Sequence, residues 1–212
     1  MDNIIPTEKE QNIAFWDSVE KTDPVYTSEA EISGRKMTSI DAYFQIKNAT
    51  REWGMYGTTW GLKDIDLKLE KMDDDTTICL YKAVFWYPGG RFEIHNSLIV
   101  KYKVVSKGYI KVDADFAKKI ETNTITKSLS KLGFNTDIFI GKFEDPMYVK
   151  EVQTEFENDK VESYMDILEE TKTYAELEKQ FLKLPARMKI HKDVIALKDE
   201  LKKTYENTKL SK

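Results

Sequence analysis

Apolar residues along the chain recur at two spacings, and each spacing predicts a different kind of element. In the centre they alternate with polar residues or form runs of β-branched and aromatic residues, which is typical of strands. We predict three strands, over 64–72, 76–87 and 92–104. Turn residues separate them at 73–75 (Asp-Asp-Asp) and 88–90 (Pro-Gly-Gly). Such an antiparallel meander needs a helix or another subunit to cover its apolar face.

Helical spacing precedes this central region. Apolar residues from Ala42 to Trp53 follow at intervals of four, three and four, which predicts an amphipathic helix over 39–53 with a capping box at 38–41. Residues 1–34 are polar and acidic around the pair Phe15-Trp16, and they predict a short helix followed by a loop. We expect the aromatic pair to dock on another surface.

The helix that covers the meander is predicted at 113–132. Asp113 or Asp115 caps its start, and Gly133 ends it. Its last apolar residues and its two lysines, Lys127 and Lys131, fall on nearly opposite sides of a helical projection. We therefore expect one side to pack on the sheet and the lysine side to face a ligand.

The remaining chain predicts a helical tail. Helical patterns resume at 160, a charged last helix is expected at about 188–208, and the segment 150–160 is the predicted boundary. The fold prediction is α+β: a β-β-β-α core, an N-terminal helical segment and a C-terminal helical tail. We predict two domains, 1–150 and the charged tail 151–212.

Charge is distributed unevenly although the net charge is only −4. Residues 1–34 carry −6, residues 35–150 carry +4 and residues 151–212 carry −2. Within the tail, 151–170 carries −7 and 171–212 carries +5. A basic surface patch, rather than total charge, decides whether a phosphate backbone is attracted.

Enzyme chemistry finds little support in the sequence. The two histidines, His95 and His191, are far apart in the chain and lack a metal-ligand spacing, and the glycines at 54–61 lack the Lys-Ser/Thr ending of a phosphate-binding loop. We expect no catalytic residue, metal or cofactor. The minority alternative is a metal-dependent nuclease that uses Asp64 and Asp66.

Location follows from what the chain lacks. The single cysteine, Cys79, excludes an internal disulfide and a cysteine-rich zinc site. No apolar run reaches the length of a membrane span, and the first residues do not have the pattern of a signal peptide. We expect a cytoplasmic protein with no membrane contact.

A basic, aromatic-interleaved surface is the feature that remains. We predict that it forms a groove for a phosphate backbone, with hydroxyl groups such as those of Thr124 and Ser128 donating to phosphate oxygens. The predicted DNA-binding residues are Arg35, Lys36, Lys101, Lys103, Lys127 and Lys131.

The order of motifs resembles phage single-strand annealing proteins of the Sak type, relatives of the eukaryotic Rad fifty-two annealing family. The resemblance covers about 12–150 and rests on FWDSVEKTDPVYT, TSIDAYFQIKNATREWGMYGTTWG, the YPGG hairpin and, most specifically, FAKKIETNTITKSLSKLGFNTDIFIGKFEDPMYV. It implies the same β-β-β-α unit. It also implies a homo-oligomeric ring or filament in the host bacterial cytoplasm, with single-stranded DNA in a basic groove between the β stem and the helix.

Individual positions carry over only in part. Lys127 and Lys36 match basic positions of the family, whereas Thr126, Ser130 and Phe44 stand where relatives often carry Lys or Arg. The implied function is ATP-independent annealing of complementary strands, without a catalytic residue. The alternative function is that of a passive single-strand binder, which protects DNA without pairing it. The domain 1–150 is expected to bind DNA and to oligomerise. The tail 151–212 lies outside the resemblance; we expect it either to recruit a host single-strand-binding protein or a phage exonuclease through its basic last helix, or to stabilise the oligomer as a helix pair.

Overall fold

The computed structural model describes residues 6–32 and 35–210. The chain divides into two compact units, Met1–Pro146 and Met147–Lys212, and each is described by itself. The residues 150–160, the predicted boundary, lie inside a helix, while the division falls at Pro146. No helix in the described ranges is both long and apolar enough to cross a membrane.

The first unit is an α+β fold, as the sequence predicts. Its helices are α1 (Glu8–Val19), α2 (Ala42–Trp53), α3 (Phe116–Ser130) and α4 (Thr136–Phe139). Its strands are β1 (Thr27–Ile32), β2 (Arg35–Ile40), β3 (Gly61–Lys71), β4 (Thr77–Tyr87), β5 (Gly90–Val104) and β6 (Tyr109–Val112). Short 3₁₀ turns lie at Pro24–Tyr26 and Lys142–Glu144. The chain ends in α5 (Pro146–Glu169), α6 (Tyr174–Lys183), α7 (Ala186–Lys189) and α8 (Lys192–Leu210).

The main sheet is antiparallel, with the order β3-β4-β5-β6. The predicted meander forms β3, β4 and β5, and the four-residue β6 adds a strand too short to predict from alternation. Along β4, alternate residues from Cys79 to Phe85 are buried, and their cross-strand partners on β5 point to the same face. The helix α3 covers this face through Ile120, Ile125 and Leu129, which completes the β-β-β-α core.

An aromatic cluster joins the sheet to the helices of the first unit. Trp53, at the end of α2, contacts the rings of Phe15 at 6.1 Å, Phe134 at 4.7 Å and Tyr87 at 5.6 Å. Phe15 also meets Phe134 edge to face at 5.7 Å. The pair Phe15-Trp16 therefore docks on its own chain, and its rings add contact energy beyond burial alone.

Two predictions for the N-terminal region are wrong. Residues 27–32 and 35–40 form a two-stranded hairpin, β1 and β2, instead of a loop. Because Thr27 pairs with Ile40, the residues 38–40 end a strand and do not begin a helix. Asp41 is the N-cap of α2, and its carboxylate accepts a hydrogen bond from the Tyr43 amide at 2.9 Å.

The segment 132–137 after α3 ties this helix to the N-terminal region. Gly133 has φ of +99°, and a Cβ atom built there would lie 3.0 Å from Trp16 Cδ2. Only glycine combines this left-handed backbone with such a close approach. Phe134 follows at full burial inside the aromatic cluster, and its carbonyl oxygen accepts a hydrogen bond from Gln45 Nε2 at 2.8 Å.

Buried polar groups complete this connection. The Asp137 carboxylate accepts hydrogen bonds from the Thr22 amide at 2.8 Å and the Thr22 hydroxyl at 2.6 Å. The Asn135 backbone N–H donates to the Val19 carbonyl oxygen at 2.8 Å, and its side-chain Nδ2 donates to the Thr22 hydroxyl at 3.1 Å. Thr22, Asn135 and Asp137 are all fully buried. The motif FNTD (residues 134–137) therefore holds α1 to the core through buried hydrogen bonds.

The second unit is helical, in agreement with the predicted tail. Its core is formed by Val161, Leu168, Leu177, Leu184, Met188 and Val194. The last helix, α8, begins at Lys192. The Tyr205 hydroxyl on α8 donates to the Thr171 carbonyl oxygen, which ties α8 to the connection between α5 and α6.

Candidate nucleic-acid interface

A groove runs along the solvent-facing side of α3. A cleft of about 450 Å³ lies between α3, the strand β2 and the helix α4. A second cleft of about 390 Å³ lies between α3 and the start of α2. Both are lined by Ala42 and Thr122, so the two clefts adjoin along α3, and we call them together the α3 groove.

Two lysines on α3 mark the length of this groove. Lys127 lines the first cleft and Lys118 lines the second. Lys127 is nine positions after Lys118, which corresponds to about 13 Å along the helix axis. Both side chains are exposed, and the acidic residue that lines the groove beside them, Glu121, leaves a local charge of +1. The groove is therefore weakly attractive to a phosphate chain.

Neutral hydrogen-bonding groups lie between the lysines. The Thr122 hydroxyl donates to the Lys118 carbonyl oxygen at 2.9 Å, and the Thr126 hydroxyl donates to the Asn123 carbonyl oxygen at 3.1 Å. Each hydroxyl oxygen still has lone-pair capacity to accept, and the exposed Asn123 amide has no partner among the described residues. The groove can therefore position a polar backbone without reading sequence.

An exposed aromatic ring stands at the rim of the second cleft. Tyr43, in the first turn of α2, is 77% exposed and forms no ring contact with another described residue. Tyr56 lines the same cleft, and burial raises the pKa of its phenol, with a further contribution from the Glu121 carboxylate. Tyr56 therefore stays neutral. Because no other described ring packs on Tyr43, its exposed face can stack on a base.

The predicted hydroxyl donors Thr124 and Ser128 do not face this groove. Both are fully buried, and their hydroxyls donate to the carbonyl oxygens of Ile120 at 2.6 Å and Thr124 at 2.7 Å. Thr124 also accepts from Asn96 Nδ2 at 3.2 Å. The prediction was wrong because a hydroxyl can satisfy itself on the preceding turn of its helix and then pack in the core.

The predicted basic residues lie in several places. Lys36 is exposed on β2 with its ammonium 3.6 Å from the Glu29 carboxylate, and the side chain of Arg35 lies outside what the structure describes. Lys127 is in the α3 groove. Lys131 lies in a separate cleft beside α1, with its ammonium 5.9 Å from the centre of the Phe92 ring.

The two lysines of β5 lie beyond the groove. Lys101 Nζ donates to the Asp74 carbonyl oxygen at 2.9 Å, and Lys103 pairs with the Asp75 carboxylate at 3.3 Å. Nine strand residues separate Lys101 from Phe92, the ring beneath Lys131, which is about 30 Å. Lys101 and Lys131 thus lie at opposite ends of the sheet, and Lys127 is the predicted lysine that lines the groove.

Lys118 and Tyr43 escaped the sequence analysis. Lys118, Thr122 and Thr126 are spaced by four residues and therefore lie on one helical face. That stripe is the signal that could have identified Lys118. Tyr43 lies outside the apolar stripe that runs from Ala42 to Trp53 on the same helix, and this position is the signal that could have shown it to be exposed.

The alternative of a metal-dependent nuclease rests on acidic residues of β3. No group of three or more His, Cys, Asp or Glu side chains in the part of the chain that the structure describes could hold a metal ion. Asp66 pairs with Lys68 at 2.9 Å, and Asp64 occupies an irregular position of β3 with φ of +53°. Burial raises the pKa of the Cys79 thiol, so this cysteine is a core residue and not a reactive thiolate.

No protein-family model matches this chain, and no curated protein sequence matches it either.

Proposed function

We propose that the protein is an ATP-independent single-strand annealing protein that holds single-stranded DNA in the α3 groove. The observation that supports this proposal is the pair of adjoining clefts along α3, with Lys127 in one, Lys118 in the other and hydroxyl and amide groups between these lysines. These groups contact phosphate and sugar, which every sequence presents. The most specific of the motifs that resemble Sak-type annealing proteins contains α3, which lines both clefts of this groove.

Affinity must come from repetition. Two lysines and one glutamate give each groove a charge of +1, and a single groove would bind only weakly at physiological salt. When many copies align their grooves along one strand, each further contact becomes intramolecular, and the overall affinity rises steeply. The proposed active form is therefore a homo-oligomeric ring or filament.

The main sheet has a suitable surface for such assembly. The strand β3 is an edge of eleven residues, and all of its residues beyond Leu62 are exposed. Its side chains Ile65, Leu67 and Leu69 form an exposed apolar row. A long apolar edge of this kind promotes association unless it is covered. Because β6 is a different, shorter edge, pairing β3 of one copy with β6 of the next is head to tail and continues indefinitely or closes into a ring.

Annealing follows from holding the strand extended. Phosphates rest against Lys118 and Lys127, while the bases that are not stacked on Tyr43 remain open to a complementary strand. A strand held in this way has already lost much of its conformational freedom, so finding the correct register costs less entropy. No bond is made or broken, and no nucleotide is hydrolysed.

The test is the annealing of two dye-labelled complementary oligonucleotides, without ATP and with magnesium varied. We expect acceleration by the natural protein, and a large loss of that acceleration for the double variant Lys118→Ala/Lys127→Ala. The matched control is Lys101→Ala/Lys103→Ala, which removes the same charge from the end of the sheet and should retain acceleration.

Two other results would overturn the proposal. Binding without acceleration would identify a passive protection protein. Loss of labelled strand that requires magnesium and disappears in Asp66→Ala would identify a nuclease. The second unit would add recruitment of a partner, for which a host single-strand-binding protein and a phage exonuclease are the candidates.

A further inference from the structure

One end of the second unit carries a dense positive charge. The chain from Lys179 to Lys192 contains no acidic residue, and we call it the 179–192 cap. Its basic residues are Lys179, Lys183, Arg187, Lys189 and Lys192. The cap spans the end of α6, the single turn α7 and the start of α8. Short hydrogen-bonded turns at 181–184, 185–189 and 188–191 reverse the chain between α6 and α8.

Two large apolar side chains are exposed among the basic residues of the 179–192 cap. Leu182 is 70% exposed and Ile190 is 77% exposed. In contrast, Leu184 and Met188 are buried in the core of the unit and are sufficient to anchor the turn. Leu182 and Ile190 therefore contribute little to folding, and exposed apolar residues inside a charged rim mark an interaction surface.

Most of the charge is available to a partner. Arg187 pairs with Glu157 at 2.7 Å, which holds the cap to α5. The Arg187 guanidinium also holds the pKa of the Glu157 carboxyl below its ordinary value. Lys179, Lys183, Lys189 and Lys192 form no ion pair with any described residue. The amino-terminal end of α8 lies at the same end of the unit, but the Asp193 carboxylate in its first turn, 3.8 Å from His191 Nδ1, offsets the partial positive charge of the helix.

The combination selects one kind of partner. Phosphate binding would explain the lysines but not the exposed Leu182 and Ile190, since single-strand binders use aromatic rings for stacking. The ring of Phe181 is half-buried beneath the Lys198 ammonium, 4.9 Å away, and is already used. A membrane surface would require a longer amphipathic face than this turn provides. An acidic segment with an apolar side chain satisfies both features.

We propose that the 179–192 cap binds an acidic linear segment of a partner protein, with an apolar side chain of that segment seated between Leu182 and Ile190. Carboxylates of the segment pair with Lys179, Lys183, Lys189 and Lys192. This surface belongs to the second unit and works without DNA. It therefore makes the protein a recruiting module independently of whether the α3 groove anneals strands.

The test is fluorescence anisotropy with the full chain and a labelled glutamate-rich peptide that carries one phenylalanine. We expect saturable binding that weakens about tenfold when Leu182 and Ile190 are both replaced by serine, because a buried apolar side chain contributes that much or more. Lys183→Glu/Lys189→Glu should weaken binding at least as strongly. The control is Lys203→Glu, which reverses an exposed charge on α8 outside the cap and should bind within about twofold.

Each alternative occupant gives a different result. Equal binding of a peptide with serine in place of phenylalanine would overturn the proposal, because it would remove Leu182 and Ile190 from the contact. Failure of the peptide to bind, with DNA affinity lowered by the cap variants, would make the cap a nucleic-acid contact. Failure with concentration-dependent self-association that the cap variants abolish would make the occupant a second copy. Circular dichroism of each variant verifies that the exposed substitutions leave the helices intact.

Discussion

Replacing Lys127 by alanine should reduce the salt dependence of DNA binding by about half. For single strands, each neutralised phosphate contributes about −0.7 to the slope of log K against log salt. Two lysines per groove therefore give about −1.4 per subunit, and affinity falls about sevenfold between 50 and 200 mM salt. With Lys118 alone the slope is about −0.7, and the fall is about 2.6-fold. If several subunits share a strand, both slopes are multiplied equally and their ratio stays near two.

The assay is a titration of labelled oligo-dT by anisotropy at several potassium chloride concentrations. Lys103→Ala is the matched control: it lowers the net charge by the same amount, but its ammonium pairs with Asp75 at the end of the sheet. The control should keep the natural slope. An unchanged slope for Lys127→Ala, or equal effects of both variants, would refute the assignment of the α3 groove and would indicate that overall charge alone governs binding.

Three other predictions concern stability. Gly133→Ala should lower the free energy of unfolding by about 2 kcal/mol in urea titrations, because φ of +99° and the close Trp16 ring both oppose a Cβ atom. Asp137→Ala should cost about 2–4 kcal/mol in the same assay, because it leaves the Thr22 amide and hydroxyl buried without an acceptor. For Asp113, the Lys119 hydrogen bond holds the carboxyl pKa below its ordinary value, so its stabilisation is present above about pH 4 and is lost as pH falls through the lowered pKa. The difference in urea midpoint between the natural protein and Asp113→Asn should therefore shrink on acidification; a constant difference would contradict this.

The sheet and its covering helix could be predicted because their patterns are strong. The run of β-branched and aromatic residues along 76–87 shows directly in the sequence, and alternate residues from Cys79 to Phe85 face the core, as a strand requires. The β1–β2 hairpin could not be predicted in this way. Its strands are short and polar, and their pairing depends on contacts with later parts of the chain, such as the Thr38 amide donating to Glu144.

The site was harder to predict than the fold. The sequence does not distinguish the environments of different lysines. Lys127 lines the groove, Lys103 pairs with Asp75 in a turn, and Lys131 lies over the ring of Phe92. Threonine is equally ambiguous on α3, where Thr122 lines the groove and Thr124 is buried. Only the three-dimensional arrangement distinguishes these roles, because each depends on residues that are distant in sequence.

The hydrogen bonds between Thr22 and Asp137 also have a consequence for synthesis on the ribosome. The two residues are 115 positions apart, and at about 5–20 residues per second the second is added roughly 6 to 23 s after the first. Throughout that interval Phe15 and Trp16 have been made, but Phe134 and Gly133, on which they pack, have not. The nascent amino-terminal helix must therefore remain undocked, with its aromatic residues accessible to chaperones, until the carboxyl end of the first unit emerges.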